Sequence, residues 1–105
     1  MISITLPSNR PDALERTLDN IEQTTKGEVE VIVCSPFEFG MRSLKNGCVV
    51  HVFDEDESGC NSAHMRAASY ATGDFITPWV DDHLYVEGWD EVVVIDFHIQ
   101  ESLQN

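Results

Sequence analysis

Two apolar runs separated by one amphipathic segment constrain the fold most strongly. The first run, residues 2–6, is short and rich in β-branched side chains. The second, residues 29–34, is almost continuous in Val and Ile, which is typical of a parallel strand buried on both faces. Between them, Leu14, Leu18 and Ile21 recur at helical spacing. This order of elements predicts two parallel strands joined by a right-handed helical crossover.

The helix between these strands has clear start and stop signals. Pro11 suits the first helical position, and the acidic Asp12 and Glu15 favour the first turn because the helix dipole is positive there. Lys26 and Gly27 form a suitable end. The sequence therefore predicts a helix that begins at Pro11 and ends near Lys26.

The second half repeats the alternation of strand and helix. Residues 48–53 and 74–80 read as strands, with a helix over 60–71 between them. The loop at 35–47 is expected to contain one helical turn around 41–44. One face of the second helix is predicted to carry Cys60, Ala63, Ala67, Tyr70 and Ala71. We therefore predict an α/β fold, a three-layer α/β/α arrangement with a mostly parallel sheet, in a single domain spanning 1–105.

The C-terminal segment is ambiguous. Residues 92–95 favour a strand by propensity, whereas Trp89, Val92, Ile99 and Leu103 form a helical stripe. Because the polar tail 100–105 is poor strand material, we favour a helix. We also expect the apolar stretch 92–99 to support a homodimer.

Charge and cysteine content limit the classes of partner. The 105 residues include 19 acidic and 6 basic side chains, for a net charge of -13, which disfavours nucleic acid and anionic membrane surfaces as partners. No apolar run approaches the length of about 18 residues that a membrane span requires. Three cysteines without a CxxC pair suit a reducing compartment. We therefore expect a soluble, cytoplasmic protein without a membrane segment.

The main candidate site lies at Asp81, Asp82 and His83, directly after the strand at 74–80. In open α/β folds, ligands bind at the carboxyl ends of the strands. Carboxylate oxygen and imidazole are suitable ligands for a divalent cation. The alternative is local: carboxylates in turns often accept hydrogen bonds from nearby N–H groups. In that case the two aspartates only cap the last segment, and His83 is a solvated turn residue.

Four segments, in this order, resemble the nucleotide-sugar glycosyltransferases of the GT-A fold, the family 2 inverting group in particular. Residues 2–11 resemble the first strand and the loop with proline, asparagine and arginine, and residues 12–18 resemble the first helix. The Gly59 to Ala63 stretch and the later Ala71-Thr72-Gly73-Asp74 resemble the glycine, the alanine-rich helix and the Gly-Asp before the fourth strand. Asp81-Asp82-His83, followed by Gly88-Trp89-Asp90, resembles the DXD motif and its trailing glycine and tryptophan.

The resemblance implies a Rossmann-like, donor-binding half with strand order 3-2-1-4. It implies that a nucleotide-sugar donor is bound by Pro7, Ser8, Asn9, Arg10 and Asp81. It implies that Asp81, His83 and Asp82 hold Mn or Mg against the donor diphosphate. For the segment 8–10, turn chemistry before a helix is an equal alternative.

The chain also departs from the family pattern. Cys34-Ser35-Pro36 stands where members usually place an aspartate that contacts the nucleobase, and no catalytic base is assignable, so the catalytic residues are unknown. The chain ends soon after the DXD-like turn, so we expect a truncated donor half that is inactive alone. It would transfer a glycosyl group only with further sequence or a second chain that binds the acceptor. The alternative is a non-catalytic nucleotide- or metal-binding remnant, or a protein-interaction module.

Overall fold

One five-stranded sheet with two helices organises the computed structural model, which describes residues 1–38, 42–53, 59–81 and 83–91. The elements in chain order are β1 (Ile2–Pro7), α1 (Pro11–Thr24), β2 (Val29–Ser35), β3 (Ser43–Leu44), β4 (Gly47–Phe53), α2 (Cys60–Ala68) and β5 (Phe75–Pro78). The predicted α/β class is confirmed at this level, as a mostly parallel sheet with helices.

The strands lie in the order β3-β4-β2-β1-β5. The pairs β1–β2, β1–β5 and β2–β4 are parallel, which confirms the prediction of a mostly parallel sheet in which β1 and β2 run in the same direction. Only β3 is antiparallel, forming a short hairpin with β4 around Lys45 and Asn46. The predicted helical turn at 41–44 is therefore wrong, because Ser43 and Leu44 pair as a strand. The last strand also ends at Pro78 rather than at residue 80, since the chain turns after Trp79.

Helix α1 covers one face of the sheet. Side chains alternate between the two faces of a strand, so every second residue of β1 and β2 points to the same side. The buried cluster on this face contains Ile2, Ile4 and Leu6 of β1, Val29, Val31 and Val33 of β2, and Leu14, Leu18 and Ile21 of α1. This confirms the predicted helical stripe. Each fully buried Leu or Ile contributes about 1.5–3 kcal/mol relative to an exposed one.

Helix α2 covers the opposite face. Its Ala63 and Ala67 pack against Ile32, Cys34 and Val52, in a second buried cluster. The small alanine side chains allow the helix to lie close to the strands. Tyr70, which was predicted on the buried face, is 56% exposed, because α2 ends at Ala68 and Tyr70 lies in the following turn. The two helices thus enclose the sheet between them.

A buried carboxylate ties the loop before β5 to the sheet. Glu30 of β2 accepts hydrogen bonds from the Ser3 hydroxyl at 2.8 Å and from both the N–H and the hydroxyl of Thr72. The Ser3 oxygen in turn accepts from the N–H of Gly73 at 2.9 Å. A Cβ atom at Gly73 would lie 2.6 Å from that oxygen, so the close approach requires glycine.

Residues 83–91 pack along the C-terminal half of α1. Tyr85 and Trp89 join the buried cluster on the α1 face, and the indole N–H of Trp89 donates to the Thr25 hydroxyl at 3.1 Å. Asp90 is buried and accepts from the backbone N–H groups of Lys26 and Gly27, at 3.0 and 2.8 Å. Trp89 is therefore a core residue, and Asp90 fixes the turn that connects α1 to β2.

Some predictions fall on residues that the structure does not describe. The choice between helix and strand for 92–103 and the dimer contact at 92–99 lie outside the described residues. Within the described ranges, no helix has the length and apolar character needed to cross a membrane.

Candidate functional site

The topology creates a candidate ligand crevice at the carboxyl ends of β1 and β5. The chain leaves β1 through α1 and moves to β2 across one face of the sheet. It later returns from β4 through α2, on the other face, to β5 on the far side of β1. In open α/β sheets, ligands bind at the carboxyl edge where the strand order reverses in this way. The segment 8–10 follows β1 and Asp81 follows β5, so both lie at this edge.

Ser8 is the first side chain that links the two segments. Its hydroxyl donates to Asp81 Oδ2 at 2.7 Å, while its oxygen accepts from the backbone N–H of Arg10 at 3.2 Å. The backbone N–H of Ser8 donates to the carbonyl of Cys34 at 3.0 Å, which extends the sheet pairing just beyond β1. Ser8 is buried, and its hydroxyl also lies 3.2 Å from the carbonyl of Arg10, so its single proton serves either that carbonyl or the nearer Asp81 oxygen.

Arg10 supplies the charge that balances Asp81. Its Nη2 lies 2.7 Å from Asp81 Oδ1, so each carboxylate oxygen has its own donor. The Asp81 side chain is only 11% exposed, whereas that of Arg10 is 56% exposed. A buried carboxylate is unfavourable without a compensating charge and hydrogen bonds. Burial acts to raise the pKa of Asp81, but the hydrogen bonds from Arg10 and Ser8 outweigh it and hold that pKa below its ordinary value.

Thr17 anchors the backbone of the same turn. Its hydroxyl lies 2.8 Å from the carbonyl of Asp81 and 2.8 Å from the carbonyl of Ala13, and its single proton serves one of them at a time. Sequence reasoning missed Thr17. The available signal was a polar residue next to Leu18 on the apolar stripe of α1. Helix α1 therefore contributes to the core and also anchors the turn that carries Asp81.

The other predicted site residues have different surroundings. Pro7 is the last residue of β1 and pairs in register with Cys34, and Asn9 is exposed in the loop before α1. His83 is exposed; its carbonyl accepts from the indole N–H of Trp79 at 3.2 Å, and its ring lies edge-on to the Trp79 ring. Asp82 lies outside the described residues. These contacts bring Ser8, Arg10 and Asp81 together, and they place His83 beside Trp79.

The predicted metal site is only partly compatible with this geometry. An ionised carboxylate at a strand end has the chemistry that Mn or Mg prefers, so Asp81 fits as a single ligand. In the parts of the chain that the structure describes, however, no three His, Cys, Asp or Glu side chains are arranged to hold a metal ion. Both oxygens of Asp81 already accept hydrogen bonds, one of them from a cation. The cation that this structure places at Asp81 is therefore Arg10.

An aromatic cluster lies directly after the site turn. The rings of Trp79 and Tyr85 stack with centroids 3.7 Å apart, and Tyr85 and Trp89 are 4.4 Å apart in a tilted arrangement. Tyr85 is 5% exposed, and its hydroxyl has no hydrogen-bond partner among the described residues. Burial raises the pKa of the Tyr85 phenol far above its ordinary value. Sequence reasoning missed Tyr85, although its position between two tryptophans was a usable signal.

Two histidines form polar pairs elsewhere in the fold. His51 Nε2 lies 2.8 Å from the hydroxyl of the buried Ser35 on the neighbouring strand. His64 Nδ1 of α2 lies 2.8 Å from the hydroxyl of Thr5, and burial lowers the pKa of this imidazole. Both contacts satisfy polar groups within the fold, and neither involves Asp81.

Comparison with known proteins leaves the fold and the site geometry as the basis for a functional conclusion. No family model matches this chain, and no curated protein matches it. The sheet topology, the junction of Ser8, Arg10 and Asp81, and the strong negative charge are the observations from which a function is inferred.

Proposed function

We propose that this chain is the donor-binding half of a nucleotide-sugar glycosyltransferase of the GT-A type. The observation that carries the proposal is the meeting of Ser8 and Arg10 with Asp81 at the carboxyl edge, across 73 and 71 residues of sequence. The sequence resemblance assigns these two distant segments to one donor site. Their direct contact, beside the strand where the order of the sheet reverses, is what such a site requires.

The charge of the chain shapes the binding chemistry of this site. A net charge of -13 repels a diphosphate unless cations intervene. Arg10 is more than half exposed, and a guanidinium group can donate two parallel hydrogen bonds to phosphate oxygens. In this proposal Asp81, His83 and Asp82 are the residues that would hold Mn or Mg. A bound divalent cation would neutralise the diphosphate and stabilise it as a leaving group.

The end of β2 bears on nucleobase selection. Ser35 is fully buried, and its hydroxyl donates to the carbonyl of Phe37 and lies beside His51. Cys34 is buried as well. The segment Cys34-Ser35-Pro36 that ends β2 carries no carboxylate to accept hydrogen bonds from a base. We therefore infer that the donor site discriminates poorly among nucleobases.

A second candidate function is a non-catalytic module of the same fold. The observation that favours it is the local satisfaction of Asp81, whose two carboxylate oxygens and backbone carbonyl all accept hydrogen bonds from within the chain. In that case the contacts of Asp81 with Ser8, Arg10 and Thr17 only hold the turn after β5 against the end of β1 and against α1. This candidate predicts a loss of stability, but no loss of ligand binding, when Asp81 is replaced.

Calorimetry with Mn²⁺ and uridine diphosphate separates these two functions. The donor site predicts binding by the wild-type chain that is lost in Asp81→Asn and weakened in His83→Ala. A suitable control is Glu28→Gln, because Glu28 is exposed beside the start of β2, at the other end of the sheet, and the change removes the same charge. Equal binding by wild type and Asp81→Asn, with both chains folded by circular dichroism, would refute the donor site.

A further inference from the structure

The outer edge of β5 is open in the part of the chain that the structure describes. Strand β5 is the last strand on its side of the sheet and pairs only with β1 there. Successive residues of a strand turn their backbone N–H and C=O groups to opposite sides. Since the N–H of Trp79, just after β5, donates to the Thr5 carbonyl of β1 at 2.9 Å, the backbone groups of Ile76 are directed away from the sheet. An edge with unpaired backbone groups is a binding surface for further polypeptide.

Exposed apolar side chains flank this edge on both faces of the sheet. Ile76 of β5 is 51% exposed, on the face that α2 covers elsewhere. Leu84 and Val86 are 70% and 74% exposed. They alternate with the buried Tyr85, whose ring stacks on Trp79 at the end of β5, and they therefore point away from the core on the α1 face. We call Ile76, Leu84 and Val86 the β5 edge surface.

The carboxylates next to the β5 edge surface are already paired. The exposed Asp74, directly before β5, lies 3.0 Å from the N-terminal ammonium group, and Glu87 pairs with Lys26. The surface is therefore apolar and has little local net charge, although the chain as a whole carries -13. A second copy would bring another strongly negative chain, so long-range repulsion disfavours it as the occupant. An apolar, nearly uncharged segment fits best.

Residues 92–99 of the same chain have this composition. The run is Val-Val-Val-Ile-Asp-Phe-His-Ile, with six apolar side chains and a single carboxylate, and it follows Glu91 directly. Apolar side chains in such a continuous run favour burial strongly. The sequence thus supplies an apolar segment, and the described fold supplies an uncovered apolar edge.

The start of this segment lies close enough to reach β5. Asp90 accepts hydrogen bonds from the loop directly before β2. The strands β1, β2 and β5 begin at the same level, because Ile2 pairs in register with both Val29 and Phe75. Neighbouring strands are about 4.8 Å apart, so β5 begins about 10 Å from the start of β2. Eight extended residues span about 26 Å, which exceeds both this distance and the length of the four-residue β5.

We propose that residues 92–99 of this chain bind along the β5 edge surface and bury Ile76, Leu84 and Val86. This inference goes beyond the proposed donor site and does not depend on it. A tethered segment acts at a high effective concentration, so it outcompetes a separate partner of similar composition. The same contact shields the backbone groups of Ile76 and prevents the edge from pairing with strands of other proteins.

Hydrogen exchange of the Ile76 amide in the full chain tests this contact. We expect the wild-type amide to be protected, and to exchange about tenfold or more faster in the double variant Val93→Asp/Val94→Asp. Two adjacent charges disfavour burial whichever of the two side chains faces the surface. Gln100→Asp/Gln104→Asp is the matched control, because it adds the same charge beyond the segment, and it should exchange as wild type. Amides of the central strand β2 show whether each variant is folded.

Leu84→Ser gives a second measurement if the two aspartates disturb folding. It should also accelerate exchange at Ile76, whereas Phe53→Ser, which removes an exposed apolar side chain from β4 beyond β1 and β2, should not. Rapid exchange of Ile76 in the wild-type chain, or protection that persists in every variant, would overturn the proposal. Protection that disappears on dilution, together with dissociation of a dimer in sedimentation, would assign the surface to a second copy and overturn it as well.

Discussion

Glu30 accepts two hydrogen bonds from Thr72, one from the backbone N–H at 2.9 Å and one from the hydroxyl at 2.8 Å. The donors precede β5, and the acceptor lies on β2, two strands away. The Ala-Thr-Gly-Asp segment resembles a glycosyltransferase motif, yet its contacts here are structural. These contacts fix the position of β5 along the strand direction, relative to β1 and β2. They therefore also fix the position of Asp81, which follows β5 at the carboxyl edge of the sheet.

Replacement of Glu30 by Gln should destabilise the fold. The amide keeps the size of the side chain, but it removes the charge and turns an NH₂ group toward donors on Ser3 or Thr72. A buried donor without an acceptor costs about 1–3 kcal/mol. Urea unfolding near neutral pH measures the effect. Glu28→Gln, at an exposed position close by, should change the unfolding free energy by less than about 0.5 kcal/mol; equal effects of the two variants would contradict this role of Glu30.

Glu30 should also make the free energy of unfolding depend on pH under acidic conditions. Burial acts to raise the pKa of this carboxyl, but the hydrogen bonds from Thr72 and Ser3 outweigh it and bring the pKa below its ordinary value of 4.5. Because the pKa is lower in the folded than in the unfolded chain, the stabilisation is full above 4.5 and is lost as pH falls through the folded-state pKa. As pH falls through this window, the free energy of unfolding should decrease less in Glu30→Gln than in wild type. Parallel pH profiles would show that other carboxylates govern the acid transition.

Asp90→Ala should loosen the connection between α1 and β2. The substitution leaves the backbone N–H groups of Lys26 and Gly27 without their carboxylate acceptor. We expect a loss of about 1–3 kcal/mol in the free energy of unfolding. The adjacent Glu91 is exposed, so Glu91→Ala serves as the control. Hydrogen exchange of the Lys26 and Gly27 amides should accelerate in Asp90→Ala only; unchanged protection there would refute the contact.

Ser8→Ala should weaken both the fold and the proposed donor site. The hydroxyl bridges Asp81 Oδ2 and the N–H of Arg10, so its removal leaves two polar groups short of a partner in a buried position. The expected cost in unfolding free energy is about 1–3 kcal/mol, with weaker binding of Mn²⁺ and uridine diphosphate. The exposed Ser62 of α2 provides the control variant Ser62→Ala. If Ser8→Ala binds as tightly as wild type, Ser8 does not position Asp81 for a ligand.

We expect the 105-residue chain alone to transfer no sugar at a useful rate. An inverting transfer needs a general base near the acceptor hydroxyl. Asp81 is a poor candidate, because Ser8 and Arg10 occupy its oxygens and its pKa is lowered. The measurement is release of nucleoside diphosphate from a panel of nucleotide sugars and acceptors with Mn²⁺. Sustained turnover that disappears in Asp81→Asn would prove this expectation wrong.

The sequence predicted the larger elements because their signals are local and redundant. The stripe Leu14, Leu18 and Ile21 marks α1 through helical periodicity, and the Val and Ile run of β2 marks a strand with two buried faces. The proximity of Ser8, Arg10 and Asp81 was predictable only through a family resemblance, since their contacts span more than 70 residues.

The features that the sequence did not reveal depend on tertiary context. Ser43 and Leu44 form a strand only because β4 offers them an edge, and no local pattern of two residues encodes such a pairing. Thr17 and Tyr85 are polar or amphipathic, and only packing shows that one contacts the site turn and the other lies inside the aromatic cluster. The residue types alone also do not show whether Arg10 or a metal ion neutralises the charge of Asp81.

Gly47 has a consequence for evolution as well as for packing. A Cβ atom at this position would collide with the backbone carbonyl of Val29 on the neighbouring strand, and backbone cannot move aside as a side chain can. Natural selection should therefore have kept glycine here in every homologue that retains the pairing of β2 with β4, even where the site residues have diverged. Distant relatives of this protein should be recognisable by that glycine, placed at the first position of β4 and eighteen residues after the start of β2.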